Sequence, residues 1–227
     1  SVILQVRGTG PLGLLVVEAN SDQQVRGIAR QEGAVDDEMT LQQLFGSEYF
    51  VITIKPGKGE PHQGIATLTG RSLAESLEHY FDTSDQLATR FWLACGKDNV
   101  SGLMLQKLPG NVSDGDAWNR VSMLADTLSM QELKLAAADS LLYRLFHQEE
   151  VRLFDARPIE FHCSCSRERS ASMLLTLGKP EVLDILEQEG EVSVTCEFCN
   201  AHYRFDSIDI EQTFSESVAA QPSVSEH

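Results

Sequence analysis

Four cysteines in the last third of the chain are the residues best equipped for chemistry: Cys163-Ser-Cys165, a gap of thirty residues, then Cys196-Glu-Phe-Cys199. Two close pairs can supply four thiolates to one tetrahedral zinc ion, which fills the coordination sphere and leaves no position for a substrate. Cys196-Glu-Phe-Cys199-Asn-Ala-His-Tyr reads as a zinc-knuckle turn. The CxC pair also places two sulfurs close enough to form a small disulfide ring once metal leaves. The spacing therefore admits two behaviours: a structural Zn2+ site that never changes state, or a site that holds metal when reduced and short-range disulfides when oxidised. Oxidation of one thiolate to sulfenic acid, followed by attack from its pair-mate, would remove two ligands together.

Other chemistries fit less well. The chain is not a small Cys-dense domain of the secreted kind, and no ferredoxin-type spacing supports an iron–sulfur cluster. The CxxC follows a strand into a knuckle and does not open a helix as a thioredoxin-type dithiol would. His162 and His202 flank the pairs and can replace a cysteine as ligand or donate a hydrogen bond to a thiolate. Arg167, Arg169 and Arg204 lie near enough in sequence to offset a negative zinc–thiolate centre. Cys95, in the apolar run Phe91-Trp-Leu-Ala-Cys95, is expected as a buried strand residue and not a ligand. No HExxH, GxSxG or triad-like set is present, so the chain is expected not to be an enzyme.

The elements around the cysteines divide the chain. Residues 1–109 alternate β-like runs with Gly-rich turns: Val2–Val6, Leu14–Glu18, Gln24–Ala29, Tyr49–Lys55, Gln63–Leu68, Thr89–Cys95 and Ser101–Leu108. One helical stripe, Ser72–Phe81, interrupts them. The expected fold class is α+β, with a mixed-sheet N-terminal domain. Residues 110–161 turn helical, with Leu124, Leu128 and Leu135 in one stripe and Leu141, Leu142, Leu145 and Phe146 in another. Ser129-Met-Gln-Glu132 reads as a capping box that restarts the helix. Such a layer is an ordinary amphipathic connector, or else a metastable linker that a few kcal/mol would release (about that magnitude). Residues 162–214 form the small zinc-binding unit, with helices Ser166–Leu177 and from Pro180 to Gly190, then strands Val192–Thr195 and His202–Phe205. So small a core leaves metal to supply much of its folding free energy. Residues 215–227 read as a disordered tail. The chain enters a strand pattern at once, and a missing N-terminal segment is expected.

Net charge is −16, from 34 acidic and 18 basic residues, a field that repels phosphate backbones and argues against nucleic acid as a partner. No apolar run approaches a membrane span, so no membrane partner is expected.

His162-Cys163-Ser-Cys165-Ser-Arg-Glu-Arg169, the CxxC knuckle, Gln24-Val-Arg-Gly-Ile-Ala-Arg30 and Tyr143-Arg-Leu-Phe-His-Gln-Glu-Glu150 together resemble the thirty-three-kilodalton chaperonin family, the redox-regulated heat-shock holdases of bacteria. The resemblance spans nearly the whole chain. It implies a cytoplasmic, ATP-independent chaperone, inactive while reduced and zinc-bound through Cys163, Cys165, Cys196 and Cys199. It further implies that oxidation forms Cys163–Cys165 and Cys196–Cys199 disulfides, releases zinc, unfolds the linker and favours homodimers that hold unfolding client proteins. Two departures from the family stand out: an N-terminal segment is absent, and Ser170 occupies a position where some relatives have a further cysteine. The alternative is a zinc-stabilised adaptor or binding module whose cysteines stay structural.

Overall fold

The computed structural model describes residues 1–110 and 114–219, which fall into two compact units meeting after Glu160. The first unit begins with three antiparallel strands, β1 (Val2–Arg7), β2 (Leu12–Ala19) and β3 (Gln24–Gln31). A short helix α1 (Leu41–Phe45) leads to β4 (Tyr49–Ile54) and β5 (His62–Thr67), followed by α2 (Leu73–Tyr80) and a π-helical turn at Phe81–Asp85. The sheet order is β5-β4-β1-β2-β3, and a two-residue strand, β8 (Glu160–Phe161), lies at its edge where the unit ends. Glu160 N–H donates to Gln23 O there, at 3.0 Å.

Alternation decides which face is buried. Val6 pairs with Leu15, and Leu4 with Val17 and Ile52, so these side chains share one side of the pleat. That side meets Leu41, Phe45 and Tyr80 from α1 and α2 in one core with Val6, Phe50, Ile52, Ala66 and Leu68. The sequence signal for α2 was complete, since Ser72 caps it by accepting from Glu75 N–H.

A second core lies within the same unit. The hairpin of β6 (Thr89–Cys95) and β7 (Val100–Gln106) packs Trp92 and Ala94 against three helices. These are α3 (Ala117–Ala125), α4 (Met130–Leu135) and α5 (Ala138–Phe146), which contribute Ala125, Leu133, Leu141, Leu145 and Phe146, joined by Leu128 between α3 and α4. The helical stretch expected as a linker thus shares a core with the hairpin, and Asn99 Nδ2 donates to Lys134 O at 2.8 Å across the two. The capping box at Ser129 and Glu132 is present, and Ala136 and Ala137 are extended, which produces the second break. Helices this short have little stability of their own and persist through packing. From His147 to Ile159 there is neither helix nor strand, and Leu153, Phe154 and Ile159 are exposed.

Arg120 of α3 clamps this layer, reaching Glu149 beyond α5 at 2.6 Å and Asp114 at 2.9 Å. The hydrogen bond from Arg120 holds the carboxyls of Glu149 and Asp114 below their ordinary range. A depressed folded-state pKa gives stability that is full above the unfolded value and lost as pH falls through the folded one. Amide exchange in α3 and α5 is therefore expected to speed up as pH drops from about 5 toward 2, after correction for intrinsic exchange rates. In Arg120→Gln that extra acid dependence should shrink, leaving the part that the Asp116 and Ala117 backbone hydrogen bonds to Asp114 sustain. An unchanged acid profile in the variant would show the clamp to be idle.

The second unit, from Phe161 on, contains α6 (Arg167–Leu177), α7 (Lys179–Glu189), the antiparallel hairpin β9 (Val192–Thr195) and β10 (His202–Phe205), and α8 (Ser207–Ala219). Ser166 caps α6, Gly178 ends it, Pro180 sits in the first turn of α7, and Gly190 closes that helix at φ 79°. Leu174, Val182, Val192, Phe205 and Ile210 form the core. The tail expected from Ser215 is helical as far as Ala219, and its remainder, 220–227, lies outside the described residues.

Candidate metal centre

The four cysteines reach one point from two loops. Cys163 and Cys165 lie on the segment entering α6, and Cys196 and Cys199 on the turn joining β9 to β10. The turn is held by Asn200 N–H to Cys196 O at 2.8 Å and Cys196 N–H to Ala201 O at 2.9 Å. Asn200 has a φ of 56°, a left-handed conformation that asparagine tolerates better than most side chains. On the other loop, Arg169 Nη1 fixes Ser164 through its carbonyl at 2.8 Å and its hydroxyl at 2.6 Å. Arg167 donates to Arg204 O at 2.6 Å, pairs with Asp209 at 2.6 Å and lies 4.4 Å over the Phe205 ring. These contacts of Arg167 and Arg169 are with oxygens and a ring, so their role here is to fasten the loops.

All four sulfurs lie within 4.8 Å of one another. The closest described approaches run between the pairs, Cys163 to Cys196 at 3.6 Å and Cys165 to Cys199 at 3.3 Å. A tetrahedral site with Zn–S bonds of about 2.3 Å places sulfurs about 3.8 Å apart, so the donor set fits such an ion. The electrostatics agree. An Ala201 backbone hydrogen bond pulls the Cys199 thiol down, but hydrogen bonds with Cys165, Cys163 and Cys196, together with desolvation, outweigh it and push it up to about 12. Thiols this crowded resist ionising together, and a divalent cation removes that penalty.

Neither neighbouring histidine belongs to the group: His162 is exposed, and His202 Nδ1 lies 2.9 Å from Thr195 Oγ1. The hydrogen-bond donor is a residue to which the sequence assigned no role. Tyr203 Oη donates to Cys165 Sγ at 3.1 Å, and that bond, with burial and the neighbouring thiols, pushes the phenol up to about 12. Alternation along β10 was the available signal, since it puts Tyr203 and Phe205 on the same side of the hairpin. Ser170 is buried in α6, donating to Ser166 O at 3.0 Å, and is not one of the clustered groups. Cys95 ends β6 as expected but is exposed, because alternation turns it away from Trp92 and Ala94.

The site and the folds together define an α+β protein whose small second unit brings together four thiols that could hold a metal ion. A sequence model of the Hsp33 protein matches residues 1–206. The chain is 43% identical over 228 residues to the 33 kDa chaperonin of Aliivibrio salmonicida, covering 99% of this chain and 78% of that one. It is 46% identical over 221 residues to the 33 kDa chaperonin of Methylobacillus flagellatus, covering 96% and 75%. The crystal structure of the 33 kDa chaperonin of Thermotoga maritima shares the fold, with a TM-score of 0.77 at 24% identity over 96% of this chain and 78% of that one. This chain belongs to the Hsp33 family. Among the described residues no helix is long and apolar enough to cross a membrane.

Proposed function

We propose that this chain is a cytoplasmic, ATP-independent holdase that is switched on by oxidation. The observation that carries the reading is the convergence of Cys163, Cys165, Cys196 and Cys199 in a unit whose apolar core, among the described residues, is five buried side chains. In the reduced protein the four thiolates hold Zn2+, and the ion supplies the charge that lets them stay ionised side by side. That arrangement ties residues 163–165 to residues 196–199 across a loop of about thirty residues, so that metal-binding free energy offsets the cost of closing it and becomes folding free energy. Oxidation to Cys163–Cys165 and Cys196–Cys199 disulfides replaces ties between the pairs with ties within them. The loop reopens, and zinc leaves.

The segment leading into Cys163 is suited to follow. It consists of short helices held by one core and a stretch without helix or strand in which Leu153, Phe154 and Ile159 are already in solvent. A groove of about 240 Å³ beside α5, lined by Leu142, Tyr143, Phe146, Val151 and Leu153, adds apolar surface. Its loosening would present unfolding client proteins with side chains to bind, in an oxidised homodimer. The net charge of −16 keeps such a complex in solution and favours protein over nucleic acid as partner. The reading is of a binding protein and not an enzyme.

The test is light scattering from a thermally unfolding client, with metal-loaded reduced protein compared with peroxide-treated protein. Suppression after oxidation, together with loss of bound zinc, is the expected result. A metal that survives peroxide while the protein stays folded and inactive would instead identify a structural zinc module.

A further inference from the structure

We infer that the Tyr203 phenol is a guard on Cys165, holding back its oxidation while its neighbours stay reactive. The inference rests on the redox-switch reading and assigns a positioning residue to it. The geometry is local and specific. Tyr203 Oη lies 3.1 Å from Cys165 Sγ, whereas the described side-chain hydrogen bonds of Cys163 and Cys196 are with other cysteines of the cluster. Tyr203 is placed there by the β9–β10 register, which sets it opposite Val194, and both side chains pack against the unit's core. The ring is thus fixed independently of the sulfur it touches.

The chemistry follows from what the hydrogen bond occupies. A thiolate reacts with a peroxide by giving a sulfur lone pair to one oxygen, breaking the O–O bond: thiolate plus hydrogen peroxide gives sulfenic acid plus hydroxide. A phenol donating to that sulfur draws density from the lone pair and covers one approach to it. Loss of the donor leaves the lone pair free. The sulfenic acid is then displaced by a second cysteine thiolate, giving a disulfide and another hydroxide. Cys165 should consequently enter the switch as the attacking second thiolate more often than as the group first oxidised.

The experiment uses the full chain loaded with zinc and less than one equivalent of hydrogen peroxide. Sulfenic acid is trapped with dimedone and each cysteine is quantified by peptide mass spectrometry. In the native protein Cys165 should carry the smallest share of first modification. In Tyr203→Phe, which keeps the ring, its share relative to Cys163 should rise about tenfold, the rate equivalent of a lost hydrogen bond to a charged group. Zinc release, followed with a chromogenic chelator, should speed up with it. Val192→Ala loosens the same hairpin at its far end, opposite Phe205, and should raise all four cysteines together. If Val192→Ala gives the same Cys165-selective rise, or Tyr203→Phe leaves the distribution unchanged, the guard is refuted. Slower oxidation of Cys165 in Tyr203→Phe also refutes it, since the phenol would then be protonating the departing hydroxide. If the native protein keeps its zinc through excess peroxide, the failure lies with the redox-switch reading itself.

Discussion

Removing the metal, or replacing Cys196 with serine, is expected to unfold the second unit while leaving the first folded. Hydrogen exchange read by mass spectrometry should show residues 192–205 and α6 losing nearly all protection, with β1–β5 unchanged. The two effects separate because the cores do. Leu174, Val182, Val192, Phe205 and Ile210 are the buried apolar side chains of the second unit among the described residues, while the first unit has two clusters of its own. So few buried side chains supply little stability to a unit of this size. A structural zinc site contributes about 10 to 16 kcal/mol of binding free energy to folding, comparable to the whole stability of an ordinary domain. Serine at position 196 leaves three thiolates and a poor oxygen donor, and it breaks the contact with Cys163. Full protection of β9 and β10 without metal would mean that apolar packing suffices, and the case for a metal-controlled switch would fall with it.

Much of this architecture was legible in the sequence because its signals are local. The helical runs read from Ser72 and Ser166 begin there, the capping box at Ser129 and Glu132 is formed, and Gly178 and Gly190 end α6 and α7. The β9 and β10 boundaries fall where the runs Val192–Thr195 and His202–Phe205 put them. The cysteine spacing was informative for the same reason: a knuckle turn is a few residues of local geometry. What local signals could not carry is partnership. Helix α1 has five residues, too few for a periodic stripe, although Thr40 and Gln43 form a capping box. Helix α8 was hidden by a polar sequence, and Asp206 starts it by accepting from the N–H groups of Ile208 and Asp209. That α3 to α5 would share a core with β6 and β7 depends on side chains far apart in sequence, Trp92 and Ala94 meeting Ala125 and Leu141. Tyr203 is the same kind of case, since nothing at position 203 says that its hydroxyl meets a sulfur 38 residues away.

Gly8→Ala is expected to damage the first unit severely, and Gly57→Ala is the control that costs almost nothing. The Gly8–Gly10 stretch between β1 and β2 lies directly on the end of α1. Gly10 N–H donates to Phe45 O at 2.9 Å, Thr9 N–H to Gly46 O at 3.5 Å, and Gly8 N–H to Gly13 O at 3.0 Å. A Cβ at Gly8 would collide with the Phe45 carbonyl oxygen and the Gly46 backbone, neither of which can swing aside as a flexible side chain can. Gly46 cannot relieve the collision by changing conformation, because its φ of 61° already forms the left-handed cap of α1. Either the loop lifts off and loses its hydrogen bonds, or Phe45 leaves a core in which it is 1% exposed. Displacing a buried phenylalanine costs about 3 to 5 kcal/mol, and each backbone hydrogen bond about 1 kcal/mol, so a loss of about 3 kcal/mol or more is expected. Around Gly57 no atom lies within 4 Å of an added Cβ. Urea unfolding of the first unit, read at fixed m-value, separates the two variants. Equal midpoints would show that the loop yields freely and that the close approach does not hold α1 in place. Zinc content and exchange protection of residues 192–205 should be unaffected by either substitution, because the second unit carries its own core and its own ligands.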